Sequence, residues 1–211
     1  MYKLFKVLVF GVSAFGFTSA ANSQPIDTLF STGLDAFNDT LAPGSIDSNY
    51  IVLESGTNAE VLTGLPSTYL PNDVNSQWVW QQSNGQPTNV TLTFRTQFDL
   101  TGFDSNTAII NGLWGVDNQG IDILINGVST GNNLLGVVFS NFDQLNSFVI
   151  VDGFLPGINT LDFIVQDNGS VSAFRAELSG TATVVPIPAA LWLFLSGLAV
   201  MGAFHRELKL T

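Results

Sequence analysis

Apolar and polar residues alternate through the middle of the chain. Val90, Leu92, Phe94 and Phe98 are interleaved with Thr91, Thr93, Arg95 and Gln97; Ile121, Ile123 and Ile125 share one face of a second run, and Leu161, Phe163 and Val165 one face of a third. A period of two sends successive side chains to opposite sides of an extended backbone, so each run predicts a strand with one buried face. Phe94, Ile123 and Phe163, at mid-strand on those faces, are expected in the core. Shorter candidates run from Asn49 to Leu53, Gln77 to Trp80, Thr107 to Ile110, Leu135 to Phe139, Phe148 to Val151 and Phe174 to Leu178, bounded by Gly, Asn, Asp or Pro. No helical stripe is sustained between them. Eight or nine short strands predict an all-β fold, an antiparallel β-sandwich with the jelly roll as first choice and an immunoglobulin-like sandwich or an open barrel as alternatives.

Both ends depart from this pattern. Lys3 and Lys6 precede an apolar run from Val7 to Phe17 and a small, polar stretch from Thr18 to Ser23, the three zones of a secretory signal peptide over residues 1–23. Cleavage after Ala20, Ala21 or Ser23 satisfies its small-residue requirement. At the other end, Val185, Pro186, Ile187 and Pro188 lead into an uncharged run from Ala189 to Phe204, followed by Arg206 and Lys209. The two prolines lack backbone donors and bias the residues before them toward extended geometry, which makes the strip readable by a processing enzyme. Residues 188–204 make about 17 helical residues, roughly 25 Å at 1.5 Å each, at the short end of a bilayer span. Arg206 and Lys209 then mark the cytoplasmic side. The domains expected are a signal peptide (1–23), a β-sandwich ectodomain (24–178), a linker (179–185) and a C-terminal anchor (185–211).

Composition bounds the exported part. Sixteen of the seventeen acids lie in residues 24–185, against only Arg95 and Arg175, so the ectodomain carries about −14. A field of that sign repels nucleic acid and anionic lipid. With no cysteine in the chain, disulfides and thiolate chemistry are absent and the domain relies on its core.

The segment Val185-Pro186-Ile187-Pro188-Ala189-Ala190-Leu191-Trp192-Leu193-Phe194, with Ser196-Gly197-Leu198 after it, resembles a PEP-CTERM sorting signal in the form with an apolar residue in place of the namesake glutamate. The tail His205-Arg206-Glu207-Leu208-Lys209 departs from the usual arginine cluster. The resemblance implies an exosortase as partner: a membrane-embedded, transpeptidase-like enzyme of exopolysaccharide-producing Gram-negative bacteria. It also implies a precursor anchored in the inner membrane and facing the periplasm, destined for the cell envelope or extracellular matrix. A second resemblance covers the ectodomain. Asp117 to Gly127 and Leu155 to Phe163 are similar to the galactose-binding-like jelly roll, and Phe98 to Trp114 resembles exported PEP-CTERM proteins. Asn126-Gly127 is also a hairpin signal and Pro156-Gly157 a turn signal in their own right.

Catalysis has few residues to use. The one histidine, His205, lies in the tail, which excludes a histidine-based triad or metal site from the ectodomain. A carboxylate pair remains open to a secreted carbohydrate-active hydrolase, with Glu54, Glu60 and Glu177 as the glutamates available; Glu177 is expected to pair with Arg175 on a solvated face. A non-catalytic ectodomain that binds exopolysaccharide or calcium is the preferred reading. Trp78, Trp80 and Trp114 are candidates for a sugar-stacking platform, with core filling as their commoner use. Asp117, Asn118 and Asp122 are candidate calcium ligands because hard cations take carboxylate and carbonyl oxygens.

Overall fold

The computed structural model describes residues 22–136 and 141–186, together with Phe194. Asn22–Val185 form one compact unit. Its strands are β1 (Ser23–Pro25), β2 (Ile46–Val52), β3 (Thr57–Val61), β4 (Val79–Trp80), β5 (Thr91–Asp99), β6 (Phe103–Asp117), β7 (Gln119–Ile125), β8 (Val128–Ser129), β9 (Asn146–Ile150), β10 (Ile158–Gln166) and β11 (Ala173–Val184). Every pairing between them is antiparallel. Hydrogen bonding runs in the order β8-β7-β10-β5-β2-β3-β4-β11-β6-β9, with β1 added to β11.

This path folds into a sandwich because the apolar faces of its two halves meet. Phe94 on β5 lies 4.8 Å from Phe174 on β11, and Phe163 on β10 lies 4.9 Å from Phe174 and 5.8 Å from Trp114 on β6, ring centre to ring centre. Strands β7, β10, β5 and β2 thus form one layer and β11, β6 and β9 the other, with β3 and β4 carrying the ladder between them. Phe94, Ile123 and Phe163 are fully buried, as the alternation predicts. The Asn126-Gly127 hairpin forms with positive φ at both residues, the geometry of a type I′ turn between β7 and β8. Asn159, one residue into β10, is buried and accepts from Leu155 N–H at 2.8 Å and Asn126 Nδ2 at 2.7 Å, so this motif has a structural role.

Several expectations are corrected. The sixth strand extends across fifteen residues rather than stopping at Ile110. Its glycines admit rings: a Cβ on Gly112 would sit 2.2 Å from the Phe148 ring, and one on Gly115 2.8 Å from Trp78. Ser179–Val184 are not a linker but the second half of β11, held between β1 and β6 with Ala182 fully buried. Val185 donates to Gly102 O at 2.8 Å, so the sandwich ends where the strip begins. Leu135 and Gly136 form no strand, and the rest of that expected element lies outside the described residues. The signal peptide up to Ala21, residues Ile187 and Pro188, most of the expected 188–204 helix, and Arg206 and Lys209 also lie outside them. Among the described residues no helix is long and apolar enough to cross a membrane.

One buried acid gives the fold a pH dependence. Asp47 is fully buried, accepting from Gly33 N–H at 2.7 Å and Asn49 N–H at 3.0 Å, and burial pushes its carboxyl up to about 6. The folded state therefore holds a proton that the unfolded chain releases near 4. Stability is greatest below about pH 4 for this group and declines as pH rises through 6. We expect the melting midpoint to rise by a few degrees from pH 7 to pH 5, since roughly two pKa units correspond to about 2 to 3 kcal/mol in all and about half of that is regained between these pH values. Asp47→Asn should make the profile shallower without abolishing it, since Asp117 is raised to about 6 as well, and a parent midpoint that falls over this range would contradict the assignment.

Candidate functional site

The sandwich places the residues singled out in the sequence in three different settings. Trp78, Trp80 and Trp114 are core residues with at most 1% exposure, so they form no sugar platform. Their indoles pack against Tyr69, Phe94 and Phe163 respectively, and Trp78 Nε1 and Trp80 Nε1 donate to Leu70 O and Pro87 O. The two-residue spacing makes no shared open face: Trp78, just before β4, packs on Tyr69 and against Gly115, Trp80 packs on Phe94, and Val79 between them is buried too.

Asp117, Asn118 and Asp122 do not assemble as a metal site. Among the described residues no three acidic or histidine side chains converge as metal ligands. Asp122 lies on β7 opposite Ile164 and accepts from Ile123 N–H, whereas Asp117 ends β6 opposite Ala173. The Asp117 carboxylate accepts from the Tyr69 hydroxyl and from Asn118 Nδ2. Burial, and after it the charge of Asp167, push Asp117 up to about 6 against those two hydrogen bonds. Tyr69 is raised in turn by burial and by its bond to Asp117. These groups open on a cleft of about 320 Å³, walled by Pro66, Phe142 and the Gly169–Val171 turn.

A larger opening lies over the outward face of β2 and β5. This groove, of about 560 Å³, is lined by Ser48, Asn49 and Ile51 of β2, Leu53 beyond it, Arg95 and Gln97 of β5, and Ile158 of β10. Ile51, Leu53 and Ile158 are exposed. Thr28 closes one end through a 2.8 Å bond from Asp99 N–H to its hydroxyl. Arg95 stands directly opposite Asp162 and makes a two-pronged pair, Nε to Oδ1 and Nη2 to Oδ2, both at 2.7 Å. That pair fixes the guanidinium plane and leaves the Nη1 edge unused. Asp162 is buried and Arg95 about one-third exposed, so the charge is held at the groove floor.

The expected glutamates have other work. Glu54 accepts from Thr93 N–H and Oγ1 at 2.8 and 2.9 Å, and Glu60 from Ser83 N–H at 2.8 Å. Glu177 does not pair with Arg175: that guanidinium is fully buried and bonds to Ser76, Pro71 and Asp73. The sequence does not mark the groove because its lining sits on the outward half of the alternation, which reads as a solvated face even where Ile51, Leu53 and Ile158 interrupt the polar residues. Arg95 carried the available signal, as one of two cations in an acidic domain.

No family model and no curated protein matches the chain. Solved structures that it resembles include CBM35 from Paenibacillus barcinonensis, with a TM-score of 0.38 and 11% identity over 74% of this chain and 97% of that one. Two others come from Fischerella sp. TAU. The Stig cyclase Fisc, in complex with (3Z)-3-(1-methyl-2-pyrrolidinylidene)-3H-indole, has a TM-score of 0.44 and 12% identity over 74% of this chain and 99% of that one. A cyclase from the same source gives 0.42 and 12% over 74% and 98%.

Proposed function

We propose that the chain is an exported cell-envelope or matrix protein, anchored through its C-terminal segment and processed there by an exosortase, whose galactose-binding-like jelly roll binds extracellular polysaccharide without cleaving it. The groove over β2 and β5 carries the binding half. A sugar ring presents hydroxyls around its rim and C–H groups on its faces; Asn49, Gln97 and the Nη1 edge of Arg95 supply polar partners, and Ile51, Leu53 and Ile158 supply apolar surface. An ectodomain near −14 repels polyanions, which favours a neutral or sparsely charged glycan. For the processing half, β11 ends at Val184 and Val185 is tied to Gly102, so Pro186 begins the stretch beyond the sandwich that an enzyme can grip. Of the expected signal-peptide cleavage points, those after Ala20 and Ala21 leave β1 whole.

One experiment tests both halves: expression of the full-length protein in an exopolysaccharide-producing Gram-negative host with an exosortase, read by intact mass and by polysaccharide co-purification. The parent should be shortened at its C-terminus and carry polysaccharide. Replacing Pro186 and Pro188 together with alanine restores backbone donors and lets a helix propagate into the strip, so this variant should remain full length. Gln97→Trp, which fills the groove from an exposed position, should be processed normally and lose polysaccharide affinity by tenfold or more. Equal processing of parent and proline variant overturns the exosortase reading, and unchanged glycan capture by Gln97→Trp overturns the groove.

A further inference from the structure

We propose that the end of the sandwich from which the chain leaves β11 is a lipid-contacting surface, seated in the headgroup layer of a zwitterionic bilayer; this rests on the anchored reading above. Three loops meet the chain exit there and are bonded together. Asn126 Nδ2, in the turn between β7 and β8, donates to Gly153 O at 2.9 Å, and Leu155 N–H donates to the Asn159 side chain at 2.8 Å. Leu100 N–H, in the turn after β5, donates to Gly157 O at 2.9 Å, and Val185 N–H donates to Gly102 O at 2.8 Å. Val128, Val151, Leu155, Val184 and Val185 lie in or beside these loops and are 40 to 63% exposed. A single exposed apolar residue is ordinary, but five gathered around one chain exit mark a contact surface.

The length of chain beyond Val185 decides what covers it. Only Pro186, Ile187 and Pro188 separate Val185 from the uncharged run that opens at Ala189. Three residues reach about 10 Å when fully extended, and the headgroup layer is itself about 5 to 7 Å deep on each side of a bilayer. A sandwich tethered so closely to an anchor in the hydrocarbon has its exit end at the membrane surface. Charge then selects the lipid. Asp99, Asp104 and Asp152 lie at this end, whereas Arg95 is at mid-strand on β5 and Arg175 near the start of β11, away from the exit. Carboxylates at headgroup depth are attracted by the ammonium groups of zwitterionic lipids and repelled by an anionic surface. Leucine and valine side chains that reach the acyl boundary leave water, as the apolar face of an interfacial segment does.

The chain has no cysteine, so single labels can be placed on the full-length protein. Thr101, at the exit end, and Asn168, at the other end of the β5–β10 ladder about 30 Å away, are both exposed. A fluorophore is attached to Thr101→Cys or to Asn168→Cys, and each protein is reconstituted into phosphatidylethanolamine–phosphatidylcholine vesicles that carry a quencher at headgroup depth. Quenching at Thr101 should exceed that at Asn168 at least threefold. Leu155 makes its hydrogen bonds through its backbone, so Leu155→Asp leaves the loop bonded and should at least halve the quenching at Thr101, with the protein still in the vesicle fraction. Replacing half of the lipid with phosphatidylglycerol should also lower it. Equal quenching at the two labels, a Thr101 signal that Leu155→Asp leaves unchanged, or one that phosphatidylglycerol strengthens overturns the lipid contact while the anchor stands. Shielding of Thr101 that needs a co-reconstituted exosortase would make this end a protein-docking surface and overturns it too. Protein that stays in the aqueous fraction overturns the anchored reading, and the contact with it.

Discussion

Phe163→Ala should destabilise the sandwich by about 3 to 5 kcal/mol, read as a fall in the denaturant midpoint with an unchanged slope. Phe163 is fully buried between the layers, with Phe94 and Ile123 as its cross-strand neighbours and Trp114, Phe148 and Phe174 around its ring. Removing it deletes the ring's burial and leaves a cavity that three rigid aromatic groups, anchored on β6, β9 and β11, cannot fill by moving together. Phe163→Leu should cost clearly less, because it keeps most of the apolar volume. A loss under about 1 kcal/mol for the alanine variant would mean that the ring does not bridge the layers.

That residue was legible because a half-buried strand writes its burial into a period of two. The same rule located β5, β7 and β10, which share one layer with β2, and β5 and β2 carry the groove on its outer side. It fell short where burial was not carried by large apolar side chains. β3, Thr57–Val61, contributes only Ala59 and Val61 to the core, and β1 reads as polar because its bonds to β11 are made by backbone. β6 was cut short because Gly112 and Gly115 read as breaks, while in the fold their missing side chains make room for Phe148 and Trp78.

The candidate sites were less legible than the strands, for a related reason. Tryptophan in a sequence advertises a large apolar surface without saying which side of a layer will cover it, and all three tryptophans of the sandwich proved to be covered. Asp117 and Asn118 stay together while Asp122 leaves them for β7, and the acid whose charge Asp117 senses, Asp167, lies 50 positions on, brought near by turns paired through Asn118 and Asn168, which no local spacing encodes. Arg95 acquires its meaning in the same way, from a register that sets Asp162 opposite it.

Arg175 is the sharpest departure from the alternation, and its replacement should be the second costly change. On β11 it falls where a solvated residue is expected, yet it is fully buried, because the 62–78 segment between β3 and β4 folds over it. Its Nε donates to Ser76 Oγ at 2.7 Å, its Nη1 to Pro71 O at 2.7 Å, and its Nη2 lies 2.9 Å from Asp73 Oδ2. One planar guanidinium thus latches three points of a segment that has no strand of its own. Burial alone would raise Asp73, but the Asn75 N–H, Arg175 and the Ser76 N–H together hold its carboxyl below the usual range. Arg175→Leu should cost about 3 to 5 kcal/mol, since it strands buried acceptors as well as breaking the ion pair. Asp73 is about half exposed, so Asp73→Asn should cost under about 1 kcal/mol. Arg175→Lys should fall between, because a single ammonium cannot span three acceptors set in different directions. Limited proteolysis should cut the 62–78 segment earlier in Arg175→Leu than in the parent. Denaturant titrations that rank Asp73→Asn as the more damaging change would show that the ion pair, and not the latch on Pro71 and Ser76, carries the stabilisation.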